Sequence, residues 1–263
     1  MAIGALCTSI LVAYYLFFVV ERPRVFAGRH AVVPTGLFRR IWWTCWAWHP
    51  VLQFALHFWL SRNRYRNSPY ATETLVVDGQ PITVGIAQPI DSMKATKAVL
   101  VLAHTLIGDL FDNVELAREL LARGWAVVSY SRRGHGIPLA RPIFNTVGCQ
   151  RTFRSVLALA RERFPESPMF AVGSSAGSSV VACYLGDTGE STMLAGAALI
   201  SPGYDFEAAL MMPELPSRLC TRRLKNYFLW PNAELLQRHC MKTFEALASA
   251  RTKNIGEWHD FQI

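Results

Sequence analysis

From residue 98 onward, short apolar runs alternate with segments of helical periodicity, and this alternation restricts the possible folds more than any other feature of the sequence. Continuous apolar runs of this length are typical of strands buried on both faces of a parallel sheet. The segments between them have apolar side chains at the spacing of an amphipathic helix. A succession of strand, helix and strand predicts an α/β fold with a mostly parallel sheet and right-handed crossovers. The predicted strands are Ala98–His104, Trp125–Tyr130, Met169–Gly173 and Leu194–Ile200, and the predicted helices begin near Asp112, Phe153 and Ala176.

Two shorter strands are predicted before this alternation. Thr74–Val77 and Ile82–Ala87 are separated by a segment that contains Asp78-Gly79. Asp-Gly is a frequent turn sequence in hairpins with two-residue loops. We therefore expect an antiparallel hairpin to lead into the parallel sheet, and we place the globular domain at residues 70–263.

The segment Gly173-Ser174-Ser175-Ala176-Gly177 is a G-x-S-x-G motif, and it lies between a predicted strand and a predicted helix. In that position the motif forms a sharp turn that lifts the central serine hydroxyl above the sheet. The crowding in such a turn requires glycine on both sides, and the amide end of the following helix stabilises developing negative charge. We interpret Ser175 as a catalytic nucleophile. The alternative is a tight strand-to-helix turn that is made of small residues and has no chemistry.

A serine nucleophile of this type needs two backbone amides that hold the oxyanion. One is expected from Ala176, and the other from the loop after the strand 98–104, at Thr105 or Leu106. We expect His104 to shape this loop rather than to act as a base. The chemistry needs no metal or organic cofactor, and the six cysteines include no C-x-x-C pair that would indicate a zinc site.

The acid and the histidine of a catalytic triad are expected after the nucleophile, in that order. Only His239 and His259 follow Ser175, and neither lies where a general base is expected. Asp205 is the fallback candidate for the acid, because it follows the strand after the nucleophile helix. Its alternative role is the N-cap of the next helix.

The first 24 residues are predicted to be a transmembrane anchor. Ile3–Val20 has no charged residue and is 18 residues long, which is just enough to span a bilayer. The first Lys or Arg comes at Arg22, after this run, so we expect an uncleaved single-pass anchor with the globular domain in the cytosol.

Residues 25–69 contain a second apolar run, Ile41–Leu60, which holds five tryptophans but also His49 and Pro50. We interpret it as an interfacial or cap segment, because tryptophan prefers the membrane–water boundary. A second span and plain core packing are the alternatives. The formal charge of +8 is dispersed along the chain, which favours a membrane surface over a nucleic acid as the partner. The sequence leaves the oligomeric state open.

The order of the motifs resembles that of the YheT-like proteins and the eukaryotic membrane-anchored abhydrolases, which include the medium-chain fatty-acid ethyl ester synthase/esterases. The resemblance covers roughly residue 65 to the C-terminus. It implies an α/β-hydrolase fold and a carboxylesterase or acylglycerol lipase that acts on lipid esters, with Ser175 attacking the ester carbonyl and the amides of Ala176 and Leu106 holding the oxyanion. The matching motifs are Tyr65-Arg66-Asn67, Asp78-Gly79, residues 104–108 and 132–136, Pro138-Leu139, Pro142, residues 170–177, Tyr184-Leu185-Gly186 and Ser201-Pro202.

The chain departs from this family at two places. Thr105 stands where the oxyanion loop of the family usually has glycine, and a side chain there would narrow the oxyanion site. Residues 206–263 resemble only the lid helices, so we expect the C-terminal strands that carry the acid and the histidine to be missing. The alternative function is therefore a catalytically incomplete, hydrolase-like membrane protein with a binding or scaffold role.

Overall fold

The structure is a computed structural model, and it describes residues 68–89, 96–143, 149–203, 218 and 221–249. These residues lie within one compact unit, Tyr65–Ile263. The predicted anchor at 1–24, nearly all of the segment 25–69, Asp205 and His259 lie outside the described residues. No helix in the described part of the chain combines the length and the apolar character that a membrane crossing needs.

Six strands form one mixed sheet in the order β1-β2-β4-β3-β5-β6. The first two form an antiparallel hairpin, and β2 also pairs antiparallel with β4. The pairs of β3 with β4, β3 with β5 and β5 with β6 are all parallel. The mostly parallel sheet and the leading hairpin are thereby confirmed. The strands are β1 (Ala71–Val77), β2 (Gln80–Ala87), β3 (Val99–Ala103), β4 (Ala126–Tyr130), β5 (Met169–Ser174) and β6 (Gly196–Ile200).

Helices connect the parallel strands at the positions that the periodicity predicts. The first helix ends where the sequence expects it, because Gly124 follows with φ +84°, a left-handed conformation that suits glycine. A 3-10 turn, Gly189–Ser191, follows the helix that begins at Ala176. A π-helical segment, Lys225–Leu229, and a second 3-10 turn, Trp230–Asn232, precede the last two helices. The α-helices are α1 (Val114–Ala122), α2 (Arg151–Arg163), α3 (Ala176–Thr188), α4 (Ala233–His239) and α5 (Met241–Ser249).

The core has two layers, one on each face of the sheet, because successive side chains of a strand point to opposite faces. In β3, Val99 and Val101 join the cluster that contains residues of α2 and α3. Leu100 and Leu102 join the cluster on the other face, which contains residues of α1. Every residue of β3 and β4 is buried, which explains why β3 is a continuous apolar run and why β4 is apolar except for Ser129.

Strand β6 is the exception to this burial. It pairs with β5 alone among the described strands, and Ala197, Ala198 and Ile200 are exposed. The prediction of a strand here is confirmed in position. The reason for its exposure is its place at the edge of the sheet, which leaves one side of β6 without a described neighbour.

A third apolar cluster joins the C-terminal helices to the loop after β3. Its buried residues come from residues 224–249, and Leu106 and Ile107 pack against it from the loop. The residues 221–249, which we call the lid segment, therefore contact the loop that the sequence analysis assigns to the oxyanion site. The buried members are Leu224, Leu229, Leu236, Phe244 and Leu247.

Candidate active site

Ser175 occupies a strained turn between β5 and α3. Its backbone has φ 51° and ψ −116°, and it is one of three non-glycine residues with positive φ in the described chain. Such a conformation costs about 1–3 kcal/mol and persists only where the surroundings impose it. Ser175 is exposed, whereas its neighbours Ser174 and Ala176 are buried. The turn therefore presents the residue-175 side chain to the surface of the domain, as a nucleophile requires.

The surroundings that impose this turn are backbone contacts. A Cβ on Gly173 would lie 2.5 Å from the Gly177 carbonyl oxygen, and a Cβ on Gly177 would lie 2.2 Å from the Ala103 carbonyl oxygen. Neither contact can be relieved by moving a side chain. Both glycines of the motif are thus explained by the close crossing of α3 over β5 and over the end of β3.

The first candidate oxyanion amide belongs to Ala176, the first residue of α3. The amides of the first helical turn have no partner within the helix, and they carry the positive end of the helix dipole. The Ser175 amide is already used, because it donates to the Ile200 carbonyl oxygen at 2.9 Å. Ala176 therefore remains the candidate donor on the helix side of the nucleophile.

The second candidate amide lies in the loop after β3, where the sequence leaves Thr105 and Leu106 as alternatives. The Thr105 amide donates to Oδ2 of Asp112 at 3.2 Å, and the Thr105 hydroxyl donates to the same oxygen at 2.7 Å. Thr105 is thus engaged elsewhere, and the geometry favours Leu106. The same contacts tie the side chain of Thr105 to Asp112.

His104 is a structural residue of this loop, in agreement with the sequence analysis. Its Nδ1–H donates to the Thr105 carbonyl oxygen at 2.7 Å, and its Nε2 accepts from the Arg132 amide at 3.0 Å. Burial, with Arg132 and His135 nearby, holds the pKa of His104 well below its usual range. A neutral imidazole with both nitrogens bonded cannot serve as the base for Ser175.

The motif Arg132-Arg133-Gly134-His135-Gly136 reaches the same loop from the end of β4. The Arg132 guanidinium donates to the Thr105 carbonyl oxygen at 2.6 Å, and His135 Nδ1–H donates to the Gly108 carbonyl oxygen at 2.9 Å. Burial lowers the pKa of Arg132 to about 10, so its side chain stays charged at neutral pH. The pKa of His135 is lowered well below its usual range, first by burial and then by Arg132.

Sequence reasoning missed the role of this motif and used it only as a mark of resemblance. The signal that could have revealed it is a charged pair between a buried strand and two glycines. The left-handed φ of Gly134 and Gly136, at 74° and 81°, turns the chain back under the loop after β3. Tyr227 of the lid segment then donates its hydroxyl to the Gly108 carbonyl oxygen at 3.0 Å.

No acid or base of a triad is assembled among the described residues. His239 is exposed as the last residue of α4, and neither buried histidine bonds to Ser175. No described histidine therefore lies within hydrogen-bonding distance of the Ser175 hydroxyl. In the same ranges, no group of three His, Cys, Asp or Glu side chains is arranged to hold a metal ion.

The family model for serine aminopeptidase, S33 (Hydrolase_4), matches residues 94–252, which include the nucleophile turn and the loop after β3. The chain belongs to this family. Members of the S33 family are α/β-hydrolases, so the match agrees with the sheet order and the strained turn at Ser175. The narrower resemblance to the YheT-like proteins stays a prediction.

Individual relatives carry related descriptions. Human Protein ABHD15 is 37% identical over 130 residues, which cover 47% of this chain and 28% of the human protein. The chain thus matches just over a quarter of that relative's length. Among solved structures, an α/β serine hydrolase homologue from Coxiella burnetii is 21% identical, with 52% of this chain and 65% of that chain covered and a TM-score of 0.43. A soluble variant of monoglyceride lipase from Saccharomyces cerevisiae is 12% identical, with coverage of 62% and 54% and a TM-score of 0.43.

Proposed function

We propose that this S33-family chain is a serine hydrolase that cleaves carboxylic esters of lipids at a membrane, with Ser175 as its nucleophile. The observation that carries the proposal is the backbone of Ser175, which is held at φ 51° at the start of α3 with its side chain exposed. A protein without chemistry at this turn gains nothing from the strain, since glycine would adopt the same backbone conformation without it.

In the proposed reaction, Ser175 Oγ attacks the ester carbonyl carbon and the carbonyl oxygen becomes an oxyanion. The amides of Ala176 and Leu106 donate to that oxyanion, and they lower the barrier because they are oriented before charge develops. A base must take the hydroxyl proton and return it to the leaving alcohol. None of the described histidines fills this role, and Asp205 remains the proposed acid.

A lipid ester is the proposed substrate because of the apolar character of the lid segment. Leu106 and Ile107 of the oxyanion loop pack against the apolar lid cluster, so an acyl chain near Ser175 would meet apolar side chains. Trp230 and Met241 of the lid segment are exposed at 47% and 50%, which suits contact with a lipid surface. The predicted anchor at 1–24 and the Trp-rich segment 25–69 would hold the domain at that surface.

The experiment that tests the nucleophile is labelling of the full chain with a fluorophosphonate probe. We expect labelling in the wild type and in the Ser179→Ala control, which removes a hydroxyl from the same helix turn. Labelling is expected to be lost in Ser175→Ala. Hydrolysis of monoacylglycerols compared with water-soluble esters then tests the substrate class. Labelling that persists in Ser175→Ala would contradict the assignment.

A second candidate is a hydrolase-like membrane protein with a binding or scaffold role. The observation that favours it is that the Ser175 hydroxyl has no histidine partner among the described residues. Under this proposal the folded wild-type chain does not react with the probe, although its thermal unfolding remains cooperative. The same labelling experiment therefore separates the two candidates.

A further inference from the structure

The peptide group between Thr105 and Leu106 is held by its carbonyl oxygen. That oxygen accepts from the Arg132 guanidinium at 2.6 Å and from His104 Nδ1–H at 2.7 Å. Both donors are buried, with side chains that are about 1% exposed. The peptide bond is planar and trans, so the amide N–H of Leu106 points opposite to the Thr105 carbonyl. It is therefore directed away from the buried Arg132–His104 pair.

The preceding peptide group, between His104 and Thr105, is held at its N–H by Asp112. Oδ2 of Asp112 accepts both the amide and the hydroxyl of Thr105, at 3.2 Å and 2.7 Å. Hydrogen bonds to an ionised carboxylate are stronger and shorter than those between neutral groups. A Cβ on Gly108 would lie 1.7 Å from this carboxylate oxygen, so the carboxylate fills the inside of the loop. Glycine at 108 is thus required for Asp112 to reach Thr105.

The charges of Asp112 and Arg132 match the polarity of the Thr105 backbone groups that they bind. The anion faces the N–H of Thr105, and the cation faces its carbonyl oxygen. Asp112 also favours the charged form of Arg132 and so partly offsets the burial of that guanidinium. The loop after β3 packs close to the nucleophile helix, since a Cβ on Gly177 would lie 2.2 Å from the Ala103 carbonyl oxygen and 2.7 Å from the His104 carbonyl oxygen.

We propose that Arg132 and Asp112 are positioning residues that set the direction of the Leu106 amide and so aim the second oxyanion donor at the nucleophile turn. This inference rests on the proposed function of Ser175. Neither side chain touches the substrate. Arg132 acts through the Thr105 carbonyl oxygen of the Thr105–Leu106 peptide, and Asp112 fixes Thr105 from the other side through its amide and its hydroxyl. Thr105 is the residue through which Asp112 fixes the loop by hydrogen bonds.

The first test compares Asp112→Ala with Glu115→Ala, which removes a carboxylate of the same charge from the first turn of α1. The substrates are a p-nitrophenyl ester and its thiono analogue, whose sulfur is a weak hydrogen-bond acceptor. In Asp112→Ala we expect kcat for the oxygen ester to fall about tenfold or more with KM nearly unchanged, because a misdirected oxyanion donor loses much of its effect. The thiono ester should lose much less, and Glu115→Ala should change neither rate.

Equal losses for the two substrates would overturn the proposal, because they would indicate general damage to the fold. Asp112→Asn keeps an acceptor for Thr105 and should restore part of the oxygen-ester rate. Arg132→Lys keeps the buried charge but loses the planar fork, and it should show the same substrate difference as Asp112→Ala. If Arg132→Lys fails to unfold cooperatively, the comparison of Asp112→Ala with Glu115→Ala decides the matter.

Amide hydrogen exchange separates this inference from the proposed function. In the full wild-type chain the Thr105 amide should exchange slowly, and Asp112→Ala should accelerate it strongly while Glu115→Ala does not. A wild type without Ser175-dependent turnover would refute the proposed function. The exchange rates would then still test whether Asp112 holds the Thr105 amide. Unchanged exchange at Thr105 in Asp112→Ala would overturn the inference.

Discussion

The close approach of α3 to β3 predicts that Gly177→Ala is strongly destabilising, although alanine is the better helix former. The added Cβ would lie 2.2 Å from the Ala103 carbonyl oxygen and 2.6 Å from its carbonyl carbon. Ordinary contact begins at 3.4 Å, so the two backbones must separate by about 1.2 Å, the difference between 3.4 and 2.2. Overpacking of this kind costs typically about 1–3 kcal/mol, and a clash with backbone atoms of two consecutive residues belongs at the upper end.

Gly186→Ala is the matched control, because it makes the same change in the same helix. Nothing lies within 4 Å of a Cβ at that position. Alanine should therefore stabilise the helix there by up to about 1 kcal/mol. For Gly177→Ala the gain in helix propensity is small at the N-terminal turn, and we expect a net loss of about 2–3 kcal/mol.

The assay is urea unfolding and thermal unfolding followed by circular dichroism, with the wild type and the two variants compared under the same conditions. A loss of 2–3 kcal/mol lowers Tm by roughly 4–12 °C in a domain of this size. The displacement should also slow fluorophosphonate labelling, since the shifted helix carries both Ser175 and Ala176. Equal stability of Gly177→Ala and wild type, or shifts of the same sign in both variants, would refute the packing argument.

Two further predictions concern the buried groups around the loop after β3. The pKa of His135 is depressed in the folded state below its ordinary value of 6.5, so the unfolded chain binds more protons as the pH falls below that value. The contribution of each such histidine to stability should be constant above about pH 7.5 and should fall toward pH 5, with a slope of up to about 1.4 kcal/mol per pH unit. His135→Asn should reduce the slope of urea midpoint against pH, whereas His239→Asn, at an exposed position, should leave it unchanged. Tyr227→Phe removes the hydroxyl that donates to the Gly108 carbonyl oxygen and should cost about 0.5–1.5 kcal/mol in urea unfolding, while an equal stability would show that this contact does not hold the lid segment to the loop.

Much of the sheet could be predicted because a strand that is buried on both faces is apolar over several consecutive residues. The residues of β3 are apolar without interruption and β4 departs from this only at the buried Ser129, and the pattern is visible within five residues. The position of β6 was equally visible, but its exposure was not. Whether a strand is central or at an edge depends on which strands pair with it, and that pairing is a long-range property.

The strained turn at Ser175 was predicted from the sequence because the five-residue motif that forms it is local, although β3 and β6 also contact it. Gly173 meets Gly177, four residues away, and both glycines stand in the motif. The identity of the oxyanion loop donor was not predictable in the same way. Thr105 and Leu106 are adjacent, and only the reach of Asp112 and Arg132 distinguishes them.

By itself, the sequence determined the α/β alternation, the hairpin and the strained serine between β5 and α3, because periodicity and a five-residue motif express local constraints. Tertiary structure alone decided that the Thr105 carbonyl faces a buried guanidinium from the end of β4, 27 residues along the chain. Tertiary structure also decided that Tyr227 of the lid segment donates to the Gly108 carbonyl oxygen, 119 residues away in the chain. The direction of a single peptide group depends on such distant partners, and no local pattern of residues records them.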